Sequence, residues 1–131
     1  MALDWSIDRD RQRVFATLQR STTEEEMYRF LGEVIAAGAM PYGKIFDARA
    51  AIRWITPSRV GPIAATARLY DRMGLGTVGP LVIVVADDAA KARAQEFARL
   101  SDATRPVRIF PAPEQAEAWL ASVETEAPRR P

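Results

Sequence analysis

Asp47 and the Asp87-Asp88 pair are the residues of this chain best placed for chemistry. Each closes an apolar run, Lys44-Ile-Phe-Asp47 or Leu81-Val-Ile-Val-Val-Ala-Asp87, of the kind that forms a buried strand. Open parallel sheets bind ligands at the carboxyl ends of their strands. Carboxylates meeting there would suit Mg²⁺, which takes carboxylate oxygens and water, or an acid–base pair acting on a phosphorylated substrate. The same residues have a plainer use. Asp87 and Asp88 can cap the helix that follows, and Asp47 can accept hydrogen bonds from loop amides.

The composition narrows the chemistry further. Among 131 residues there is no histidine and no cysteine. Nucleophile systems built on His or Cys, zinc sites with N or S ligands, iron–sulfur clusters and disulfides therefore have no ligands or nucleophiles here. Neither a metal nor a cofactor is expected, and the reading is of a protein that is not an enzyme. The 18 basic and 17 acidic residues nearly cancel and are interspersed, without the basic stripe that a nucleic-acid binder needs.

A second set of candidates lies just past Asp47. Ile52, Trp54 and Ile55 are apolar residues on a connection, flanked by Arg49, Arg53 and Arg59. An aromatic with arginines beside it suits the rim of a partner or ligand surface, and the alternative is a plug at the end of the core. If the Ile52–Ile55 segment is exposed, a homodimer through it is plausible, two-fold dimers being the commonest oligomers. Thr56 and Ser58 straddle a helix start, where an anion is tolerated and where capping also favours hydroxyls. Gly74-Leu-Gly-Thr-Val-Gly79 matches a dinucleotide fingerprint in letters, but it follows a helix and leads into a strand. That reversed context makes it a helix end and a loop.

The elements that must position these residues are read from periodicity. Leu3, Trp5 and Ile7 alternate with polar residues, as do Val14, Ala16 and Leu18, so residues 3–19 read as an antiparallel hairpin. Ser21-Thr-Thr-Glu-Glu-Glu holds two overlapping capping boxes, Thr22 with Glu25 and Thr23 with Glu26. Met27, Phe30, Leu31, Val34 and Ile35 give the helix its apolar stripe, and Gly38 ends it. A strand to Asp47 follows, then a helix from Thr56-Pro57 to about Met73 that contains Pro62. Next come the strand from Leu81, a helix capped at Asp87-Asp88 with Ala92, Phe97 and Leu100 on its apolar side, the strand Val107-Arg-Ile-Phe110 and a last helix anchored by Trp119.

The order ββαβαβαβα is an α/β class, with a single-layer, mostly parallel five-stranded sheet and helices on both faces. It makes one domain over residues 1–125 and a disordered tail over 126–131. The longest apolar run, Leu81 to Ala86, is far short of the ~20 residues of a membrane span. The acidic start Met1-Ala-Leu-Asp is unlike a secretory signal, so a cytoplasmic protein is expected.

The hairpin, the strand ending Lys44-Ile-Phe-Asp47, the strand Leu81 to Asp87, and Val107-Arg-Ile-Phe followed by Glu114-Gln-Ala-Glu-Ala-Trp-Leu120 resemble the SpoIIAA-like family. That family is related to the STAS domains of anti-sigma-factor antagonists and sulfate transporters. The resemblance spans about residues 3–122. It implies a STAS-like fold and, in antagonists, a phosphorylatable serine in an Asp-Ser-Ser/Thr-Gly segment after the third strand. The corresponding segment here is Ile55-Thr-Pro-Ser-Arg-Val-Gly61, which leaves Thr56 or Ser58 for that role. The resulting expectation is a non-catalytic regulatory module that binds a protein partner or small ligand at the edge 47–60. A carrier of an apolar ligand, with a cavity near Trp54 and Ala64–Ala67, and a Mg²⁺-dependent enzyme are the alternatives.

Overall fold

The computed structural model describes residues 3–19, 23–50, 79–101 and 106–126. The elements are β1 (Leu3–Asp8), β2 (Arg13–Leu18), α1 (Glu24–Ala36), β3 (Gly43–Asp47), β4 (Leu81–Val84), α2 (Asp88–Ser101), β5 (Val107–Phe110) and α3 (Pro113–Glu126). The helix expected between Thr56 and Met73, the Gly74–Val78 part of the glycine segment and residues 127–131 lie outside the described residues.

The hairpin forms, antiparallel as expected, in a register that sets Leu3 opposite Leu18 and Asp8 opposite Arg13. Its turn uses no Asn-Gly pair. Asp8 Oδ1 instead accepts from the Arg11 amide at 3.0 Å, and Gln12 takes φ +55° to close the loop. α1 begins with the Thr23–Glu26 capping box, the Thr23 hydroxyl accepting from the Glu26 amide at 3.1 Å and the Glu26 carboxylate accepting from the Thr23 amide at 3.3 Å. The helix ends in a Schellman arrangement: Gly38, at φ +70°, donates to Ile35 O, and Ala39 donates to Val34 O, both at 3.0 Å.

All five strands form one sheet in the order β1-β2-β3-β4-β5, with the first pair antiparallel and the other three parallel. Each parallel connection therefore advances one place in the same direction. Right-handed crossovers that advance the same way lie on the same face, and α1 and α2 do so. Their Phe30, Val34 and Ala94 pack with Val14, Phe46, Leu81, Ile83 and Val107. Trp5, Phe30 and Phe46 meet edge to face at 5.5 and 5.4 Å. α3 follows the last described strand and covers the opposite face, where Ala116 and Leu120 pack on Ile45, Val82 and Val84. β4 is thus buried on both sides, as its unbroken run of β-formers implied.

Three packing expectations need correction. Ile35 belongs to the apolar stripe by spacing but is 37% exposed, because the buried face of α1 centres on Met27, Phe30 and Val34. Among the described side chains of α2, Ala94 is buried, Ala90 and Ala98 are partly buried and Ala92 is in solvent, while the expected Phe97 and Leu100 side chains lie outside them. Trp119 packs at the margin of its cluster, beneath the Arg108 guanidinium at 5.5 Å, while Ala116 and Leu120 are the fully buried anchors.

Candidate functional site

The parallel strands bring Asp47, the Val85–Asp87 segment and Phe110-Pro111 to one edge of the sheet. The ladder continues one residue beyond the strands, since Ala48 N donates to Val84 O at 2.8 Å and Val85 N to Phe110 O at 3.1 Å. These bonds fix the backbone on which the carboxylates stand.

Asp47 lies on the α3 face, level with Thr17 on β2 and Val84 on β4. Its carboxylate is held at both oxygens by Arg49. Oδ1 accepts from the Arg49 amide at 3.1 Å and from Nε at 2.9 Å, and Oδ2 accepts from Nη2 at 2.7 Å. The side-chain bonds from Arg49 pull the carboxyl below its ordinary range, against a smaller opposing effect of partial burial. In turn, hydrogen bonding to Asp47 and the nearby charges of Asp47 and Glu114 hold the guanidinium protonated. A carboxylate kept ionised in this way accepts hydrogen bonds but is a poor proton donor or base near neutral pH.

Asp87 caps α2. Its Oδ1 accepts from the Ala90 amide at 2.8 Å, and its carbonyl accepts from Lys91 N at 2.9 Å. Asp88 occupies the first turn, exposed at the positive end of the helix dipole. A shallow cleft of about 180 Å³ opens beside this helix start, with Val85, Ile109, Phe110 and Pro111 forming its apolar wall and Asp87, Asp88 and Lys91 at its rim. Among the described residues, no three acidic side chains gather as metal ligands would.

Of the residues expected at the binding edge, the structure joins Asp47 with Arg49. Ile52, Arg53, Trp54, Ile55, Thr56, Ser58 and Arg59 lie outside the described residues, as does the Ala64–Ala67 wall of the supposed apolar cavity. Gly79 has a structural reason to be glycine. A Cβ there would stand 2.3 Å from the carbonyl oxygens of both Pro41 and Tyr42.

Sequence reasoning missed Lys44. It is 2% exposed, and its ammonium donates to Met40 O at 2.5 Å and to Tyr42 O at 2.9 Å. These carbonyls belong to the turn that leads from α1 into β3, so the ammonium ties that turn to the strand. The only hint in sequence was a lysine at an inward position of a short apolar strand.

The strand order never reverses, so among the described strands there is no switch-point crevice of the kind that doubly wound sheets use for ligands. No helix among the described residues is long and apolar enough to cross a membrane. No family model, no curated protein and no solved structure matches the chain.

Proposed function

We propose that this protein is a non-catalytic binding module of the STAS-like, SpoIIAA-like kind, acting from the cytoplasm through the sequence segment 47–60. The observation that carries this reading is how the strand-end carboxylates are used. Asp47 is locked by Arg49, and Asp87 is committed to capping α2. Both serve local structure where an enzyme of this class would place an acid and a base. A sheet whose order advances without reversal also favours recognition on a surface over recognition in a deep crevice.

The Asp47–Arg49 fork fixes the backbone where the chain leaves β3. Arg49 is half exposed and can present its remaining guanidinium edge to an acidic or carbonyl-rich partner. A phosphate on Thr56 or Ser58 would add about −1.5 to −2 charges next to Arg53 and Arg59 in the chain, enough to change partner choice.

The test is affinity purification of the tagged full-length chain from its own host cells, alongside Arg49→Ala and Trp54→Ala variants. Recovery of a stoichiometric protein or small molecule by the wild type, lost in both variants, is the expected result. A partner held equally by all three chains places recognition elsewhere. Turnover of a phosphorylated substrate that needs Asp47 and Asp87 would replace the proposal with the enzyme reading.

A further inference from the structure

β5 ends the sheet, pairing with β4 on one side and with no other described strand. Its bonds to β4 show which of its backbone groups face away. Leu81 N donates to Pro106 O at 3.0 Å and Val85 N to Phe110 O at 3.1 Å, so those carbonyls face inward. Backbone groups alternate in direction along a strand, and Val107 and Ile109 therefore turn their N–H and C=O groups outward. Such a row is a template on which a further strand, from another copy or from an extended peptide, can pair. The side chains favour it as well, since Val107, Ile109 and Phe110 are all strong β-formers.

Arg108 breaks this pattern. It projects from the α3 face, the face of its register partner Val82. Its Nη1 donates to Val107 O at 2.9 Å, and its guanidinium carbon stands 5.5 Å from the centre of the Trp119 ring on α3. The charge is thus held from two sides, by a hydrogen bond stronger than a neutral one and by the face of an indole. The carbonyl it occupies is one that an added strand would need. Past Ile109 the next outward position in the alternation is Pro111, which has no N–H to offer. A strand arriving here meets an acceptor already taken, a proline where a donor would be, and a cation that it must displace or bury.

We infer that Arg108 is an edge guard, held over Val107 O by Trp119, and that it keeps β5 from taking on another strand. The guard also gives the place of Trp119 a reason. Ala116 and Leu120 anchor α3 in the core, while the indole lies at the margin of that cluster, where the guanidinium rests on it. Charged residues and prolines are the usual means by which a sheet protects an edge, and β5 carries one at its centre and the other just past its end.

The test is sedimentation of the full chain with Arg108→Val, which suits a strand and removes the guard. Its self-association should be tighter than that of the wild type by about ten-fold or more. The Ile109 amide should exchange more slowly in the associated form, because its outward N–H then gains an acceptor. Arg108→Lys keeps a cation that can donate to the same carbonyl, and it should associate no more than the wild type. Trp119→Leu leaves β5 intact and frees the guanidinium, so it should act in the same direction as Arg108→Val by a smaller amount, and it decides the matter if Arg108→Val folds poorly. Folded variants at both positions that sediment as the wild type does, association that leaves Ile109 exchange unchanged, or equal association of Arg108→Lys and Arg108→Val would overturn the proposal.

Discussion

Arg49 grips Asp47 at both carboxylate oxygens, 2.9 Å from Nε to Oδ1 and 2.7 Å from Nη2 to Oδ2, across a separation of only two residues. The pair closes the turn that follows β3. It also makes stability at this site depend on pH in a definite sense. The folded-state pKa of Asp47 is depressed, chiefly by the Arg49 side-chain bonds, so the contribution is present above the unfolded carboxyl value near 4. It is lost as pH falls through the lower folded value. Arg49→Ala should raise the titration midpoint of Asp47 towards the ordinary carboxylate range, as followed by carboxyl-carbon NMR. Urea unfolding should then show a wild-type advantage at pH 7 that shrinks by pH 3. A midpoint that does not move would mean that Arg49 is not what holds Asp47 ionised.

Asp87 separates a capping role from an acid–base role. Its Oδ1 accepts from the Ala90 amide, and an asparagine or serine side chain can do the same. Asp87→Ala should cost about 1 kcal/mol in chemical denaturation, and Asp87→Asn only a few tenths. Equal losses for the two would show that the charge matters beyond the cap. Any activity abolished by Asp87→Asn at unchanged stability would point to chemistry.

The sequence is most legible where a local rule acts alone. Thr23 and Glu26, Gly38, Asp87 and the unbroken β4 run each did what their chemistry implies, and together they placed the described elements closely. Legibility fails where neighbours compete for one role. α2 is rich in alanine, so Ala90, Ala92, Ala94 and Ala98 differ little in hydrophobicity, and only packing on Val107 and its neighbours selects Ala94. Ile35 fits the α1 stripe by period but falls at its border, and periodicity does not fix how wide the buried face is. Lys44 and Gly79 were unreadable for another reason. Gly79 meets the Met40–Tyr42 turn from a segment distant in sequence, while Lys44 binds it from only two and four residues away through a side-chain placement that periodicity does not fix. At the site, the Asp47 strand end was legible, while its occupation by Arg49 rests on a side-chain rotamer that sequence does not specify.

Gly79 gives a sharp test of that turn. Its amide donates to Met40 O at 2.7 Å, so the two segments lie backbone against backbone. Gly79→Ala would put a methyl group 2.3 Å from two carbonyl oxygens, neither of them at the end of a flexible side chain. The backbone must give way, and the expected destabilisation is about 1–3 kcal/mol or more, read as a lower urea midpoint. Gly32→Ala is the matched control. Among the described residues nothing lies within 4 Å of the added methyl, so it should be neutral or stabilising by up to about 1 kcal/mol.

Lys44 is the other half of the same junction. Met40 O accepts from both the Lys44 ammonium and the Gly79 amide, whereas the ammonium is the donor described for Tyr42 O. Lys44→Met keeps most of the side-chain volume on the α1 face of β3 and removes the charge. Met40 O then retains one donor and Tyr42 O loses the one supplied by Lys44. Tyr42 O is part-buried, so losing its donor costs at the low end of the about 1–3 kcal/mol of a buried carbonyl, partly offset because no charge need be kept in the interior. The expected result is a net loss in that range in urea unfolding, with faster amide exchange of Gly79 and Tyr42 as the local signature. Lys44→Arg should not rescue it, since a planar guanidinium does not match a pocket built around a compact ammonium. If Lys44→Met is as stable as the wild type and Gly79 stays equally protected, the ammonium is not what binds the Met40–Tyr42 turn to the sheet.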